Sequence, residues 1–231
     1  MRQTGPTCGE AVDLVVFDLD GTLVDSREDI SRAVNEGIVA VGGWKRPASE
    51  IIPHIGRPLM DIFNDLLPVE LSAKAGRATE IFREYFFEHC VETSCLCPGV
   101  RECLEGLESV SRAIATTKMT FMAERVVRQM GIAHYFDLVR GSDGIPHKPD
   151  PTVLALVLER LRKRSVRAWV VGDTVYDIQA GKAADMHTCA VTYGIGEVED
   201  LDRADPDLLL DNLADLPAAI GVGPSPRTRP M

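Results

Sequence analysis

The sequence predicts an α/β fold, a doubly wound parallel sheet with an inserted α-helical cap, and three observations carry that reading. Short apolar runs rich in β-branched residues alternate with segments of helical period, the pattern of a parallel sheet covered on both faces. Several of these runs end directly in Asp or Thr, and an open parallel sheet lines its crevice with the residues just beyond the carboxyl ends of its strands. Between residues 26 and 97 no such run occurs, and helical spacing takes over.

The first run, Val12-Asp13-Leu14-Val15-Val16-Phe17, reads as a buried strand. After it, residues 29–41, Leu59–Leu66 and 71–89 carry helical spacing, with breaks at Pro47, Pro53, Pro58 and Pro68. Strands follow at 111–116, Leu138–Arg140, Ala168–Gly172, 187–192 and Leu208–Leu210. Helices at 100–107, 121–130, Thr152–Leu161 and 176–184 separate them. The layout divides the chain into a core of residues 1–26 plus 97–220, a helical cap of residues 27–96, and a tail of residues 221–231. The Gly and Pro content of the tail predicts mobility, and segments 24–27 and 94–99, which join cap to core, are the expected hinge.

With 231 residues, of which 45% are hydrophobic, the chain has ample material for a doubly wound domain and a small insertion. A formal net charge of −10, with no basic stripe to offset it, opposes nucleic acids and anionic membranes as partners. No long apolar segment precedes Asp18, so neither a signal peptide nor a spanning helix is read and the cytoplasm is the default location. The six cysteines, Cys8, Cys90, Cys95, Cys97, Cys103 and Cys189, lack a secretory context. Four lie near His89 in sequence but form no paired Cys-x-x-Cys arrangement, so buried free thiols are expected in preference to a zinc site.

Four short segments hold the candidate chemistry. Asp18 and Asp20 stand at the end of the first strand, before Gly21-Thr22-Leu23. Two carboxylates so close need a cation or a shared proton, and Mg²⁺ typically takes one or two carboxylates plus a substrate phosphate; turn and cap roles are the plain alternative. Thr116 and Thr117 end another strand in hydroxyls, which donate to a phosphate oxygen without adding charge or cap the helix that follows. Lys148 lies in His147-Lys148-Pro149-Asp150-Pro151, where the prolines fix a turn into a helix and so give a point charge a rigid mount. In Val170-Val171-Gly172-Asp173-Thr174-Val175-Tyr176-Asp177, Gly172 lets the backbone turn closely beneath a ligand. Asp173 and Asp177 follow as strand-end and helix-start acids, a placement the helix dipole also favours.

In this order the four segments resemble the motifs of the haloacid dehalogenase superfamily in its phosphatase form, over Asp13 to about Thr192. The resemblance implies a Rossmann-like core. It also implies that Asp18 attacks phosphorus to give an aspartyl-phosphate, while Asp20 protonates the leaving oxygen and then activates water. A carboxylate nucleophile divides one hard transfer into two easier ones, and a second carboxylate serves as acid and then base. An Asp at position 20 favours phosphoester or phosphoanhydride chemistry over C–Cl or C–P cleavage within that family. By the same resemblance Thr116 hydrogen-bonds the transferring phosphoryl, Lys148 neutralises both the nucleophile and the phosphoryl group, and Mg²⁺ is held by Asp18, Asp173 and the backbone carbonyl of Asp20. Mn²⁺ suits the same oxygen donors. Asp177 would orient Lys148 or metal-bound water, and the N–H groups of Leu19 and Thr117 would stabilise the equatorial oxygens.

A cap over a charged crevice suits a small phosphorylated metabolite, because closure excludes bulk water from the reaction. Ile55-Gly56-Arg57-Pro58-Leu59, Gly141-Ser142-Asp143-Gly144 and the segment around Asp173 resemble the phosphoglycolate phosphatase branch, which implies 2-phosphoglycolate as substrate. Arg57 would pair with a substrate carboxylate or second phosphate, for which the arginine fork is well shaped. Thr117 and Lys118 complete the expected substrate contacts, although that branch often carries Asn where Thr117 stands and an aromatic where Cys97 stands. A β-phosphoglucomutase-like phosphotransferase, a pyrophosphatase or a nucleotidase would share this core. The non-enzyme alternative is a catalytically silent binding protein of the same fold. Oligomeric state is not legible.

Overall fold

The computed structural model describes residues 11–222. In chain order its strands are β1 (Leu14–Phe17), β2 (Val24–Asp25), β3 (Cys95–Leu96), β4 (Ser111–Ala115), β5 (Leu138–Arg140), β6 (Ala168–Gly172), β7 (His187–Val191) and β8 (Leu208–Leu210). All but β2 and β3 join in one parallel sheet, ordered β5-β4-β1-β6-β7-β8. Val16 of β1 lies between Ala113 of β4 and Val170 of β6. The strand order therefore reverses at β1, and such a switch point opens a crevice at the carboxyl ends of the strands beside it.

The helices are α1 (Arg27–Ala40), α2 (Ala48–Ile51), α3 (Leu59–Leu66), α4 (Ala75–His89), α5 (Val100–Gly106), α6 (Thr120–Gln129), α7 (Thr152–Leu161), α8 (Val175–Ala183), α9 (Val198–Arg203) and α10 (Leu216–Ala219). Alternate strand residues serve two cores, as the period of 2 requires. Phe17, Ile114 and Val171 cluster with Leu104 of α5 and Val126 of α6, and this core continues into the inserted helices through Ile38, Phe63 and Phe82. On the other face Val16, Ala113 and Val170 cluster with Leu154 and Val157 of α7 and Ala180 of α8. Burying each large aliphatic or aromatic side chain stabilises the fold by about 1.5–3 kcal/mol. A strand covered on both faces needs such residues at every position, and this is why β1 shows no polar alternation.

Residues read as linkers form a structure of their own. β2 and β3 pair antiparallel, Val24 with Leu96 and Asp25 with Cys95, so the chain enters and leaves the helical insertion through one short ribbon. Beside it, the buried carboxylate of Asp29 accepts from the backbone N–H and hydroxyl groups of Thr93 and Ser94. Burial alone would raise its pKa, but the Ser94 and Thr93 donors outweigh it and hold the carboxyl below its usual range.

Several boundaries differ from the periodicity reading. The span read as one helix over 71–89 is a 3₁₀ segment, Val69–Lys74, followed by α4; Pro68 starts the tighter turn by accepting from Leu71 N–H at 2.8 Å. The short helices α2, α9 and α10 hold four, six and four residues, too few to show a helical period. Leu138–Arg140, Thr152–Leu161 and Leu208–Leu210 fall where the pattern put them. Most of the predicted mobile tail, residues 223–231, lies outside the described residues, as does Cys8. Among the described residues, no helix is long and apolar enough to cross a membrane.

Candidate active site

At the crevice the strand ends bring three motifs onto one lysine. Lys148 Nζ donates to Asp18 Oδ1 at 2.5 Å, to the Ala115 carbonyl at 3.1 Å and to Asp177 Oδ1. Those acceptors follow β1, end β4 and open α8, so one buried cation ties the two halves of the sheet together. Burial works against its charge, but the Asp177 and Asp18 carboxylates outweigh this and raise the pKa above the usual lysine range. Asp177 also accepts from the Thr174 N–H at 3.1 Å and hydroxyl at 2.6 Å, which caps α8. Its cap role and its contact with Lys148 are compatible because each uses a different carboxylate oxygen.

Gly172 does not open space for a ligand, as its place in the sequence suggested. A Cβ there would lie 2.2 Å from the Cβ and Cγ of Asp177, so this glycine makes room for the side chain that holds Lys148.

Asp173 is fully buried; its Oδ1 accepts from the Thr22 hydroxyl at 2.8 Å and its Oδ2 from the Ile195 N–H at 2.7 Å. Tyr193 OH, donating to the Thr22 carbonyl at 2.8 Å, steadies that support. No cation pairs with Asp173 among the described residues, and burial, with repulsion from Asp177, raises its pKa to about 7. Burial raises Asp18 well above its usual value too, because the opposing Lys148 charge does not fully offset it. No group of three or more His, Cys, Asp or Glu side chains is placed to hold a metal among the described residues. Two buried carboxylates short of positive charge, with a backbone carbonyl between them in sequence, nevertheless suit Mg²⁺, which takes few protein ligands and keeps several waters.

Asp20 points elsewhere. Its Oδ1 accepts from Ser26 Oγ at 2.6 Å and its Oδ2 lies 3.0 Å from Lys118 Nζ, whose ammonium sits 4.3 Å from the Phe86 ring centre. The two carboxylates of the first motif are thus held apart by different partners, Lys148 for Asp18 and Lys118 for Asp20. Thr116 is buried at the end of β4, and its hydroxyl accepts from Lys118 N–H at 3.3 Å. The Ser142 hydroxyl donates to the Thr116 carbonyl at 3.0 Å, and Asp143 accepts from the Thr120 N–H at 2.9 Å and from its hydroxyl, so the segment before Lys148 also fixes the second motif. The N–H groups of Leu19 and Thr117 have no protein acceptor among the described residues.

Above Asp20 lies a cavity of about 480 Å³ between the core loops and the inserted helices. Thr117, Lys118 and His147 line it from the core, and Ile55, Arg57 and Phe82 from the insertion. Arg57 reaches this wall but is not a free fork: it pairs with Asp65 at 2.7 Å and contacts His54 Nδ1 at 2.8 Å. Among the described cysteines, Cys90, Cys97, Cys103 and Cys189 are buried free thiols, whereas Cys95 is exposed, contrary to expectation; it lies on the two-stranded ribbon, opposite the half-buried Asp25. Burial pushes the Cys97 and Cys103 thiols up to about 12, so neither supplies a thiolate near neutral pH.

Sequence reasoning assigned no role to Ser26, Thr22, Tyr193 or Ile195. Ser26 stands inside the first motif and was discoverable as a hydroxyl near two acids, but Ile195 acts through its backbone N–H, which leaves no trace in residue type.

A parallel sheet with its acids at the switch point and a helical insertion above defines a class of hydrolase, and residues 15–191 match the haloacid dehalogenase-like hydrolase family. The chain belongs to that family. It is 32% identical over 225 residues to a phosphoglycolate phosphatase of Vibrio parahaemolyticus, covering 91% of this chain and 97% of the relative. A pyrophosphatase, PpaX, of Listeria monocytogenes is 30% identical, covering 89% of this chain and 95% of the relative. Among solved structures, a haloacid dehalogenase-like family hydrolase from Streptococcus pneumoniae superposes with a TM-score of 0.82 at 30% identity, covering 90% of this chain and 97% of its own. The fold, the family and the phosphatase type of hydrolase expected from the motifs all stand.

The close packing of the site yields one direct expectation. Gly21 has φ +88°, and a Cβ on it would lie 2.2 Å from Asp173 Oδ2. Gly21→Ala is therefore expected to destabilise by about 1–3 kcal/mol through the left-handed backbone alone, and further by displacing Asp173. Chemical denaturation measures the first effect; faster amide hydrogen exchange at Ile195, whose N–H donates to Asp173 Oδ2, reports the second. Unchanged values in both would contradict the contact.

Proposed function

We propose that this phosphatase-class hydrolase cleaves a small phosphomonoester, with 2-phosphoglycolate the first candidate, through an aspartyl-phosphate on Asp18. The observation that carries the reading is the buried Asp18–Lys148–Asp177 chain at the switch point, with Asp20 separately mounted on the cavity floor. Lys148 holds one oxygen of Asp18, which leaves the other for in-line attack on phosphorus. As the Asp18–phosphorus bond forms, the bond to the leaving oxygen breaks, and Asp20 gives that oxygen its proton. Water then attacks phosphorus, passing a proton to Asp20, and the Asp18–phosphorus bond breaks to release phosphate. The free N–H groups of Leu19 and Thr117, with the Thr116 hydroxyl and Lys148, would hold the equatorial oxygens throughout. Thr117, Lys118 and Arg57 are the proposed contacts to the rest of the substrate. When bound by Asp18, Asp173 and the Asp20 carbonyl, Mg²⁺ would neutralise phosphoryl charge and polarise the phosphorus centre.

Residues 27–96 would act as a cap unit on the core, 1–26 plus 97–220, with the β2–β3 ribbon as hinge. Closure there would exclude bulk water while the aspartyl-phosphate persists. The 2-phosphoglycolate assignment is supported by the names of several relatives.

Phosphate release from 2-phosphoglycolate, pyrophosphate, a nucleoside monophosphate and hexose phosphates, each with Mg²⁺ and with EDTA, tests the reading. Release that needs Mg²⁺ and favours 2-phosphoglycolate is expected. Isomerisation of a hexose phosphate without release would replace the phosphatase with a mutase, and metal-independent binding without turnover would indicate a silent binding protein.

A further inference from the structure

Helix α4 presents Gly76, Thr79, Glu80 and Arg83 to the cavity, spaced so that all four share one face of the helix. The polar groups of that face are used inside the molecule, with one exception. The Thr79 hydroxyl donates to the Ala75 carbonyl at 2.9 Å, and Glu80 pairs with Arg77 at 2.9 Å. Across the cavity Lys118 is committed to Asp20 at 3.0 Å and Arg57 to Asp65 at 2.7 Å. Arg83 lines the same cavity and makes no ion pair or side-chain hydrogen bond among the described residues.

We propose that Arg83 is the specificity-determining cation that holds a second anionic group of the substrate, a carboxylate or a further phosphate, away from the phosphorus centre. The proposal rests on the phosphatase reading above and deepens it. At the reacting end, Lys148 and the free N–H groups already face the phosphoryl, so a distal anion must find its cation elsewhere on the wall. Recruiting Arg57 would compete with Asp65, whereas recruiting Arg83 breaks no contact. Its planar fork offers two parallel donors to a carboxylate or phosphate. Arg83 itself is solvent-exposed, so its guanidinium is within reach of an entering anion, while Phe82, adjacent on α4, and Ile62 of α3 add apolar surface to the same wall. His147, also on the wall, is pushed below its usual pKa by burial, which outweighs Asp61, and by Arg83 itself, so its imidazole is neutral near pH 7. Arg83 is thus the persistent positive charge of that corner.

The test compares kcat/KM for 2-phosphoglycolate and pyrophosphate, which carry a second anion, with phenyl phosphate, which does not. In Arg83→Ala the ratio of 2-phosphoglycolate to phenyl phosphate is expected to fall about tenfold or more, chiefly through KM, as loss of one charge-assisted contact predicts. Arg83→Lys, which keeps the charge and loses the fork, should recover part of that ratio. A ratio unchanged in Arg83→Ala, or a loss confined to kcat on all three compounds, would overturn the assignment, as would wild-type preference for phenyl phosphate. Absence of turnover on every compound by the wild type would instead overturn the phosphatase reading itself, and melting curves of both variants separate either result from misfolding.

Discussion

Asp18→Asn is expected to lower phosphate release by about 10⁴-fold or more, the scale on which removal of a covalent nucleophile, the role proposed for Asp18, acts, and to leave no labelled phosphoenzyme after acid quench. The fold is expected to survive. Burial, together with repulsion from Asp177 and Asp173, already disfavours charge on Asp18 despite Lys148, so a neutral isostere removes an expensive buried charge. Lys148 meanwhile keeps Asp177 and the Ala115 carbonyl. The melting temperature should therefore stay within a few degrees while activity vanishes. Asp20→Asn provides the contrast: with the proposed nucleophile intact but the proposed base for water removed, phosphoenzyme should accumulate as turnover falls by about 10²–10⁴-fold. Retained turnover in Asp18→Asn, or identical behaviour of the two variants, would refute the division of labour between them.

Lys148→Ala has the largest expected effect on stability. The side chain is buried between two buried carboxylates at the junction of β1, β4 and α8. Removing one member of a buried ion cluster typically costs about 3–5 kcal/mol, because the charges left behind have lost their counter-ion. For a chain of this size that corresponds to a fall in melting temperature of about 10 °C. Activity should fall as well, since in the proposed mechanism the phosphoryl group and Asp18 share this cation. A further variant distinguishes charge from packing: adding Asp177→Asn to Lys148→Ala removes one orphaned carboxylate and should recover part of the stability, while activity stays lost. Lys148→Ala melting with the wild type would show that the cluster contributes nothing to the fold.

The strands and long helices were legible because their information is local. A parallel strand must be apolar at consecutive positions, as in Leu14-Val15-Val16-Phe17, and Leu59–Leu66 repeats its apolar face at helical spacing. The four motifs were legible for the same reason, since each is a few adjacent residues, three of them at a strand end and the Lys148 segment in the turn before α7. Short elements without a full period, such as α2 and α10, left no comparable trace, and the ribbon of β2 and β3 has only two residues per strand.

By itself, the sequence determined the fold class, the order of the motifs and the residue types from which a phosphoryl-transfer site can be built. Only the tertiary structure decided their partners. It chose Lys148 as the partner of Asp177, set Asp20 on Lys118 and Ser26, turned Gly172 from a ligand gap into a pocket for Asp177, and committed Arg57 to Asp65 while leaving Arg83 open to the cavity. It also enlisted Ile195, whose backbone N–H holds Asp173. The physical reason is common to all of these: hydrogen bonds and ion pairs are settled by distance and direction between atoms far apart in the chain, and neither periodicity nor residue type records which of several equally suitable groups arrives within 3 Å.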